Sequence, residues 1–386
     1  MPVRPLVIGD APAVADLHAG VGWAARSAAG WRWAAANPAL MEAKAPLGWV
    51  VADAEDRPAA CLGNWLQRFR LGDRMLFGAT GFNLIVPPDQ RGRSRHLVRA
   101  LLDQPGLFAA WTFNANPRSA PLYARHGMQA WPQTHSLKLS WTVDPLACLE
   151  GRAWRAAIRA RPRLADGRGE RLMNPRLDRT PDLRLDGAVT RLADLGDRSA
   201  YAAFWQALVS QGRLVADRSP AMLRWRLEDP DLRRAPLILA FWRGSAITGM
   251  ALATVAKGSI IDPPVVEVLD LIALDGEAEA VPALTRALIG NARRLGAAKV
   301  RLQMVSPRLL EQLGPLAARA RREGGWGHCH VRFASDAPDP DLWSPTPYDG
   351  DYAVCLREPP AARARRRILE AASRPLGWRD KSPVSG

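Results

Sequence analysis

Short apolar runs alternate along the chain with longer segments in which apolar residues recur every three or four positions. The first kind of pattern predicts buried strands and the second predicts amphipathic helices. The first helix is predicted over residues 11–20, with Asp10 as its N-cap. This alternation indicates an α/β fold of the α+β type, in which a twisted mixed sheet carries helices on both faces. The strands predicted for the first part of the chain are residues 3–8, 48–53, 59–69, 74–77, 82–86, 109–114 and 137–143.

The strand and helix pattern occurs twice, at a constant offset of 187 residues. Residues 83–86 precede an apolar helix at 97–102 in the same way that residues 270–273 precede one at 284–289. Trp33 with Pro38 also resembles Trp225 with Pro230, with the same separation inside each pair, and each pair leads into an apolar strand. The shared spacing predicts one fold used twice. The predicted organisation is an N-terminal domain over 1–145, a connector rich in Arg and Pro over 146–187, a C-terminal domain over 188–357 that ends in a strand at 352–356, and a basic tail over 358–386.

Residues 82–102 form the segment with the clearest chemistry. An apolar strand runs into a basic loop that contains Gly92, and a helix with leucines on one face follows. Unpaired N–H groups and the helix dipole favour an anion at a helix N-terminus, and arginines add charge and forked donors. The segment therefore predicts a phosphate-binding loop. Its predicted contacts are Val86, Gln90, Arg91, Gly92, Arg93, Ser94 and Arg95.

The same segment resembles the coenzyme A pyrophosphate loop of the GNAT superfamily of acyltransferases, V-x-P-x-x-R-G-x-G-x-G/A. Val86, Pro88, Arg91 and Gly92 match this motif, whereas Ser94 and His96 stand at the two later glycine positions. Glycine lets the backbone approach the phosphates without a Cβ in the way. Ser94 is a mild change. We expect His96 either to narrow the loop or, if it is protonated, to add a third cation to it.

A second segment, residues 112–128, resembles the next strand and helix of that superfamily. Its register is carried by Asn116, Ser119, Leu122, Tyr123 and Gly127. The resemblance implies two tandem GNAT-like domains, acetyl-CoA as the co-substrate, Asn116 as a cofactor contact and Tyr123 as the proton donor to the departing thiolate. A phenol with a pKa near 10 stays protonated at neutral pH, which suits this role. The alternative is that Tyr123 is an aromatic core residue of an amphipathic helix.

The sequence does not identify the residue that accepts the proton of the nucleophile. Many members of the superfamily carry a glutamate on or near the strand at 82–86, but the nearest position here is Asn83, which cannot accept a proton. Backbone N–H groups near the end of that strand are predicted to stabilise the oxyanion. A water chain is one alternative for the deprotonation. The side chains that remain as candidates are Glu42, Asp89, His96 and His126.

The second copy differs where the loop would bind phosphate. Glu277, Ala278, Glu279 and Ala280 stand at the positions of residues 90–93, and two carboxylates repel a pyrophosphate. The tyrosine is missing as well, because Leu313 lies near the place that corresponds to Tyr123. The second copy is therefore predicted to support the fold and to form one wall of the acceptor pocket, where Asp270 would face the cleft and orient a substrate amine or hydroxyl.

Composition narrows the partners. The formal net charge is +15, but the chain contains only five lysines, so a general bias toward arginine explains much of the excess and nucleic-acid binding is not expected. His328, Cys329 and His330 resemble metal ligands, yet strand alternation places Cys329 opposite the two histidines, and no metal site is predicted. The four cysteines are scattered and are expected to be reduced. The absence of a long apolar run or a signal-like start predicts a cytoplasmic protein with no membrane segment.

These observations lead to one principal functional hypothesis and two alternatives. The principal hypothesis is an N-acetyltransferase that moves an acetyl group from acetyl-CoA to a small amine or an amino sugar. The first alternative is a transferase that acts on a cell-envelope or polysaccharide precursor. The second is a non-catalytic protein that senses acyl-CoA or serves as an interaction scaffold. The acceptor and the oligomeric state are not predicted.

Overall fold

The structure is a computed structural model that describes residues 3–21, 23–115, 119–131, 137–166, 182–232, 235–257, 259–323, 328–355 and 364–373. Its strands are β1 (Val3–Pro5), β2 (Gly48–Ala52), β3 (Pro58–Leu71), β4 (Arg74–Ile85), β5 (Leu107–Ala115), β6 (Gln129–Ala130), β7 (Lys138–Thr142), β8 (Val189–Arg191), β9 (Val215–Ala216), β10 (Leu237–Arg243), β11 (Ala246–Ala256), β12 (Val265–Ala273), β13 (Lys299–Leu302), β14 (Arg321–Glu323) and β15 (His328–Phe333).

Helices flank these strands. They are α1 (Ala11–Gly20), α2 (Ala28–Ala35), α3 (Pro38–Ala43), α4 (Ser94–Leu102), α5 (Ala120–Arg125), α6 (Pro145–Ala160), α7 (Ala200–Val209), α8 (Pro220–Leu227), α9 (Ala280–Asn291), α10 (Pro307–Leu313), α11 (Pro315–Arg319), α12 (Tyr352–Cys355) and α13 (Ala364–Ser373). The predicted first helix is confirmed at residues 11–20. No helix among the described residues is both long and apolar enough to span a membrane.

The strands form two mixed sheets with the same internal order. The first sheet runs β1-β2-β3-β4-β5-β15-β6, with β9 paired to β3, and the second runs β8-β10-β11-β12-β13-β7-β14. In each sheet one central pair is parallel, β4 with β5 and β12 with β13. Strand β12 is buried along its whole length, as expected for a strand covered on both faces. The mixed α/β class and the predicted duplication are confirmed.

The two halves of the chain exchange strands, so that each sheet contains a strand from the other half. The prediction that residues 137–143 close the first domain is wrong, because β7 lies between β13 and β14 in the second sheet. In return, β15 lies between β5 and β6 in the first sheet. The apolar pattern of a short strand identifies it as a strand but does not specify its partner, so the exchange was not foreseen. The domain boundaries drawn from the sequence remain a prediction. Strand β7 lies before the predicted boundary at residue 145 but belongs to the second sheet, and β15 lies after it but belongs to the first.

Equivalent residues of the two copies meet between the halves. The rings of Trp33 and Trp225 stack with centroids 4.5 Å apart and planes at 8°, and the Trp33 indole N–H donates to the Trp225 carbonyl. Ser27 and Ser219, which are as far apart in the sequence as the two tryptophans, cap α2 and α8 with their side chains. A residue that contacts its own counterpart lies at a pseudo-two-fold axis, so this tryptophan pair marks the axis that relates the halves.

Three other expectations from the sequence need correction. Asp10 does not cap α1, because its carboxylate pairs with Arg4 at 2.8 Å and accepts from the Val7 N–H at 3.0 Å. The strands predicted at 74–77 and 82–86 are one continuous strand, β4. The strand predicted at 352–356 is instead the helix α12, although residue 356 lies outside the described residues. The predicted connector and basic tail contain α6 and α13, which pack against each other through an apolar cluster with Ile158 and Ile368.

A buried ion cluster ties the exchanged strand β7 into the second sheet. The Glu323 carboxylate on β14 accepts from Ser140 on β7 at 2.7 Å and from Lys299 on β13 at 2.9 Å. Burial alone would raise the pKa of Glu323, but the charges of Lys299 and Arg301 and the hydrogen bonds outweigh it and lower the pKa to about 2. The ionised carboxylate therefore stabilises the folded chain.

Replacing Glu323 by Gln should reduce stability by about 3 kcal/mol at neutral pH, because one pKa unit corresponds to about 1.4 kcal/mol. The folded pKa lies below the ordinary value of 4.5, so the stabilisation is complete above pH 4.5 and is lost as the pH falls through about 2. Urea unfolding at several pH values should show the wild type and the variant converging in acid. The exposed Glu311 on α10 is a matched control, and Glu311→Gln should show no such convergence. A wild-type advantage that stays constant down to pH 2 would contradict this account.

Candidate functional site

The central parallel pair of the first sheet separates part of the way along its length. Pairing between β4 and β5 runs from Phe77 opposite Leu107 to Thr80 opposite Trp111 and then ends. Beyond this point β4 remains paired with β3, while β5 pairs with β15. The two strands therefore diverge, and the carboxyl end of β4 has no strand partner on its β5 side among the described residues. We call this place the first divergence.

A bulge lies on β4 beside the first divergence. Asn83 has a positive φ of 53°, and the register with β3 shifts between Cys61 opposite Ile85 and Gly63 opposite Phe82. A residue in the left-handed region costs energy for most side chains and least for Asn and Gly. A bulge interrupts the ladder and redirects backbone groups. This is the part of β4 at which the sequence predicted an oxyanion site.

The Cys61 thiol lies under this bulge and is not a nucleophile. Its Sγ atom is 3.8 Å from the Asn83 carbonyl oxygen, to which it donates. Burial raises the pKa of Cys61 to about 12, so the thiol stays protonated at neutral pH. Its role is to fill space behind the bulge.

The predicted phosphate loop follows directly after β4. A 3-10 turn spans Pro88–Gln90, Gly92 has a φ of +87° and α4 begins at Ser94. The first N–H groups of a helix have no acceptor within the helix, and the side chain at the N-cap position, Arg93, does not cap them. The guanidinium-bearing side chains of Arg91 and Arg95 are exposed. The structure thus brings together seven of the eight predicted cofactor contacts in one loop and helix start. They are Val86, Gln90, Arg91, Gly92, Arg93, Ser94 and Arg95.

His96 is exposed beside this loop and carries no charge at neutral pH. Its Nε2 atom accepts from the Arg95 Nε–H at 3.2 Å. Partial burial first, and then the positive charges of Arg95 and Arg93, lower the pKa of His96 below its ordinary value of 6.5. The imidazole is therefore neutral rather than a third cation.

Tyr123 lies on α5 in an apolar cluster with α4 and β5. Its neighbours there include Val98, Leu102 and Met128, and its side chain is 5% exposed. Burial raises the pKa of Tyr123 and the nearby charge of Asp351 raises it further. The phenol is thus firmly protonated. The eighth predicted contact, Asn116, lies outside the described residues.

The candidate bases from the sequence have other partners or lie on the surface. Glu42 pairs with Arg68 at 3.1 Å, and Arg68 also binds Asp217 from the second half. Asp89 is exposed and accepts from the Gln90 amide at 3.0 Å. His126 is half-buried at the end of α5. None of these contacts identifies a proton acceptor at the first divergence.

The counterpart in the second half is filled by charged side chains. The pairing of β12 with β13 ends at Val268 opposite Leu302, which we call the second divergence. The prediction that Asp270 faces an open cleft is wrong, because its side chain is fully buried and binds Arg218 at 2.7 Å and Thr346 at 2.6 Å. The loop equivalent to the phosphate loop is bridged by ion pairs of Glu277 with Arg243 and of Glu279 with Arg286.

The described side chains of β15 are not arranged as a metal site. Cys329 is buried and His330 is nearly so, with its ring 6.2 Å from that of Tyr123. The side chain of His328 lies outside the described residues. No group of three His, Cys, Asp or Glu side chains in the described part of the chain is arranged to hold a metal ion.

Residues 349–351 of the second half reach the first divergence. The backbone oxygen of Asp349 accepts from Gln67 on β3 at 2.6 Å and from Trp111 on β5 at 2.9 Å. Two residues later, both carboxylate oxygens of Asp351 accept from the Asn114 amide of β5, at 2.8 and 3.0 Å. The one signal in the sequence was the density of acids and tyrosines at residues 348–352.

Comparison with known proteins supports the fold. Neither a protein-family model nor a curated protein matches the chain. N-myristoyltransferase from Saccharomyces cerevisiae, solved with bound myristoyl-CoA, matches over 93% of this chain and 84% of its own, at 8% identity and a TM-score of 0.52. A GCN5-related N-acetyltransferase from Kribbella flavida matches over 86% of this chain and 71% of its own, at 16% identity and a TM-score of 0.48. The match to N-myristoyltransferase, itself a tandem GNAT fold, shows that this chain has the tandem GNAT fold.

Proposed function

We propose that the protein transfers an acyl group from coenzyme A to an amine at the first divergence. The observation that carries this proposal is the juxtaposition of the diverging strands with an uncapped helix start. Beyond Thr80 the backbone of β4 leaves β5, and the same strand leads into Gly92 and the N-terminus of α4. In this proposal, a pyrophosphate bound at that N-terminus extends its thioester arm along the edge of β4 that has left β5.

The donor is expected to be an acyl-CoA, with acetyl-CoA as the simplest case. The solved N-myristoyltransferase holds myristoyl-CoA, which supports an acyl-CoA donor on this fold. Within the loop, Gly92 supplies the left-handed turn, and a small side chain at Ser94 leaves room for a phosphate. The exposed Arg91 and Arg95 supply charge. The neutral imidazole of His96 contributes a hydrogen-bonding ring rather than a cation.

The chemistry needs an oxyanion site and a donor for the leaving thiolate. The proposed donors to the oxyanion of the tetrahedral intermediate are backbone N–H groups at the β4 bulge. Tyr123 is the proposed donor to the thiolate. Because its pKa is raised, the phenol acts chiefly by donating a hydrogen bond, and complete loss of its proton is costly.

The acceptor is proposed to be a small amine or an amino sugar, with the second half forming part of the pocket wall. The cytoplasmic location expected from the sequence goes with this proposal. A second function, that of an acyl-CoA sensor, is favoured by the departures from the glycine pattern at Ser94 and His96. The two are separated by turnover, since a sensor binds acetyl-CoA and releases no free thiol in the presence of an amine.

Replacing Arg91 or Arg93 by Gln should weaken acetyl-CoA binding by about 1.5–3 kcal/mol for each charged hydrogen bond lost. This corresponds to a rise in Kd of roughly 10-fold to 100-fold. Isothermal titration with acetyl-CoA measures it directly. Arg99 lies one turn further along the same helix, is exposed and pairs with Asp103, so Arg99→Gln is a matched control that should bind as the wild type does. If both loop variants keep full affinity, this loop is not the pyrophosphate site.

Replacing Tyr123 by Phe should lower kcat by about 100-fold or more and leave the affinity for acetyl-CoA unchanged, as expected for a group that acts only in the transition state. Phenylalanine keeps the apolar contacts with Val98 and Met128, so the thermal unfolding temperature serves as the control for packing. The rate is followed by release of free coenzyme A thiol. A variant with wild-type kcat would mean that Tyr123 is only a core residue of α5.

A further inference from the structure

One segment of the second half, residues 346–352, joins the two divergences. At its start, the Thr346 hydroxyl donates to Asp270 at 2.6 Å, and Arg218 binds Asp349 at 3.0 Å. Both contacts lie at the second divergence and are fully buried. We call residues 346–352 the bridging segment.

The other end of the bridging segment lies against β5 at the first divergence. Gly350 packs so closely on Phe113 that an added Cβ would lie 2.9 Å from its ring. The Tyr352 hydroxyl donates to the Phe113 carbonyl at 3.0 Å. Contacts on both sides of Asp351 therefore hold it beside Asn114. Asn114 lies on β5 three residues after Trp111, the residue at which the pairing of β4 with β5 ends.

The Asp351 carboxylate is oriented and close to the proposed proton donor. Its side chain is 3% exposed, and both of its oxygens accept from the Asn114 amide. Its charge also raises the pKa of Tyr123, which places it within electrostatic reach of that hydroxyl. A buried carboxylate is costly unless it is hydrogen-bonded, and the two bonds from the Asn114 amide stabilise this one next to the end of the β4–β5 pairing.

We propose that Asp351 is the carboxylate that receives the proton of the attacking nucleophile. This inference rests on the proposed acyl transfer and supplies the base that the first half lacks at Asn83. The base is carried by the other half of the chain and is placed by the bridging segment.

The step balances as follows. The lone pair of a neutral amine forms the new N–C bond, and the carbonyl π pair moves to oxygen. The nitrogen, now positive and much more acidic than a free ammonium ion, gives its N–H proton to Asp351. The oxyanion pair then re-forms the carbonyl, the C–S bond breaks, and its electron pair leaves on sulfur, which accepts a hydrogen bond from Tyr123. The products are an amide, the coenzyme A thiolate and protonated Asp351, which returns its proton to the thiolate or to water.

The test compares Asp351→Asn with the wild type, using acetyl-CoA with glucosamine and with methylamine as probes. Asparagine keeps an oxygen that accepts from Asn114 but cannot take a proton. We expect kcat for thiol release to fall by about 100-fold or more, with the Kd for acetyl-CoA within twofold of the wild-type value. Asp351→Glu should recover part of the rate. The exposed Asp336→Asn is the matched control and should leave both quantities unchanged.

Each outcome bears on a different claim. Wild-type kcat in Asp351→Asn overturns this inference and leaves the proposed function standing. A wild type that fails to bind acetyl-CoA, or that binds it and releases no thiol with either amine, overturns the proposed function and the inference together. If Asp351→Asn does not fold, Asn114→Ala replaces it, because that change keeps the charge and removes its orientation. A folded Asn114→Ala variant with undiminished kcat then overturns the inference, and a loss of about 10-fold or more supports it.

Discussion

The reciprocal exchange of one strand is the constraint on which the rest of the structure depends. In each sheet the sixth position is filled by a strand from the other half, β15 in the first sheet and β7 in the second. Without the exchanged strand, β5 and β13 would each present a row of unpaired backbone groups at an open edge. The hydrogen-bond ladders therefore make each half a structural requirement of the other, and separating the chain near residue 145 would remove the sixth strand from each sheet.

The two halves use this shared scaffold differently, and the difference can be traced to a charge. Asp270 and Asn83 occupy equivalent positions on β12 and β4, and Arg218 and Arg26 occupy equivalent positions before α8 and α2. In the second half Asp270 and Arg218 form a buried ion pair that fills the divergence. In the first half Asn83 offers no charge, and Arg26 pairs across the halves with Asp229 at 2.8 Å instead. The two divergences thus differ at one equivalent position. In the second half Asp270 forms an ion pair there, and in the first half Asn83 adopts a left-handed conformation in a bulge.

Local features of the fold could be predicted from the sequence, whereas long-range pairings could not. The helix at residues 11–20 and the loop around Gly92 are each encoded within a short window of residue types, and the duplication shows as two such windows repeated along the chain. The exchange of β7 is not, because an apolar five-residue strand fits the edge of either sheet equally well. The helix α12 was predicted as a strand since its few residues have no local period, and their conformation is set by packing against the first half. Asp10 was predicted as a helix cap, but the competing partner, Arg4, is a more favourable one for its charge.

Asp351 shows most clearly why the site could not be completed from the sequence. Its partner Asn114 is 237 residues away in the chain, and no local pattern relates the two.

The ion pairs at the second divergence explain how Asp351 is held beside Asn114 although the two residues are far apart in the sequence. Removing one partner of a buried ion pair costs about 3–5 kcal/mol, because the remaining charge is left unpaired in the interior. Arg218 binds both Asp270 and Asp349, so displacing the bridging segment would break such contacts at its start. The position of Asp351, two residues after Asp349, is held by this cost and by the contacts of Gly350 and Tyr352 with Phe113. The second half has carboxylates where the first half has the proposed phosphate loop, and its ion pairs hold the bridging segment at the first divergence. This gives a physical reason for a duplicated fold in which only one copy carries the proposed acyl-transfer site.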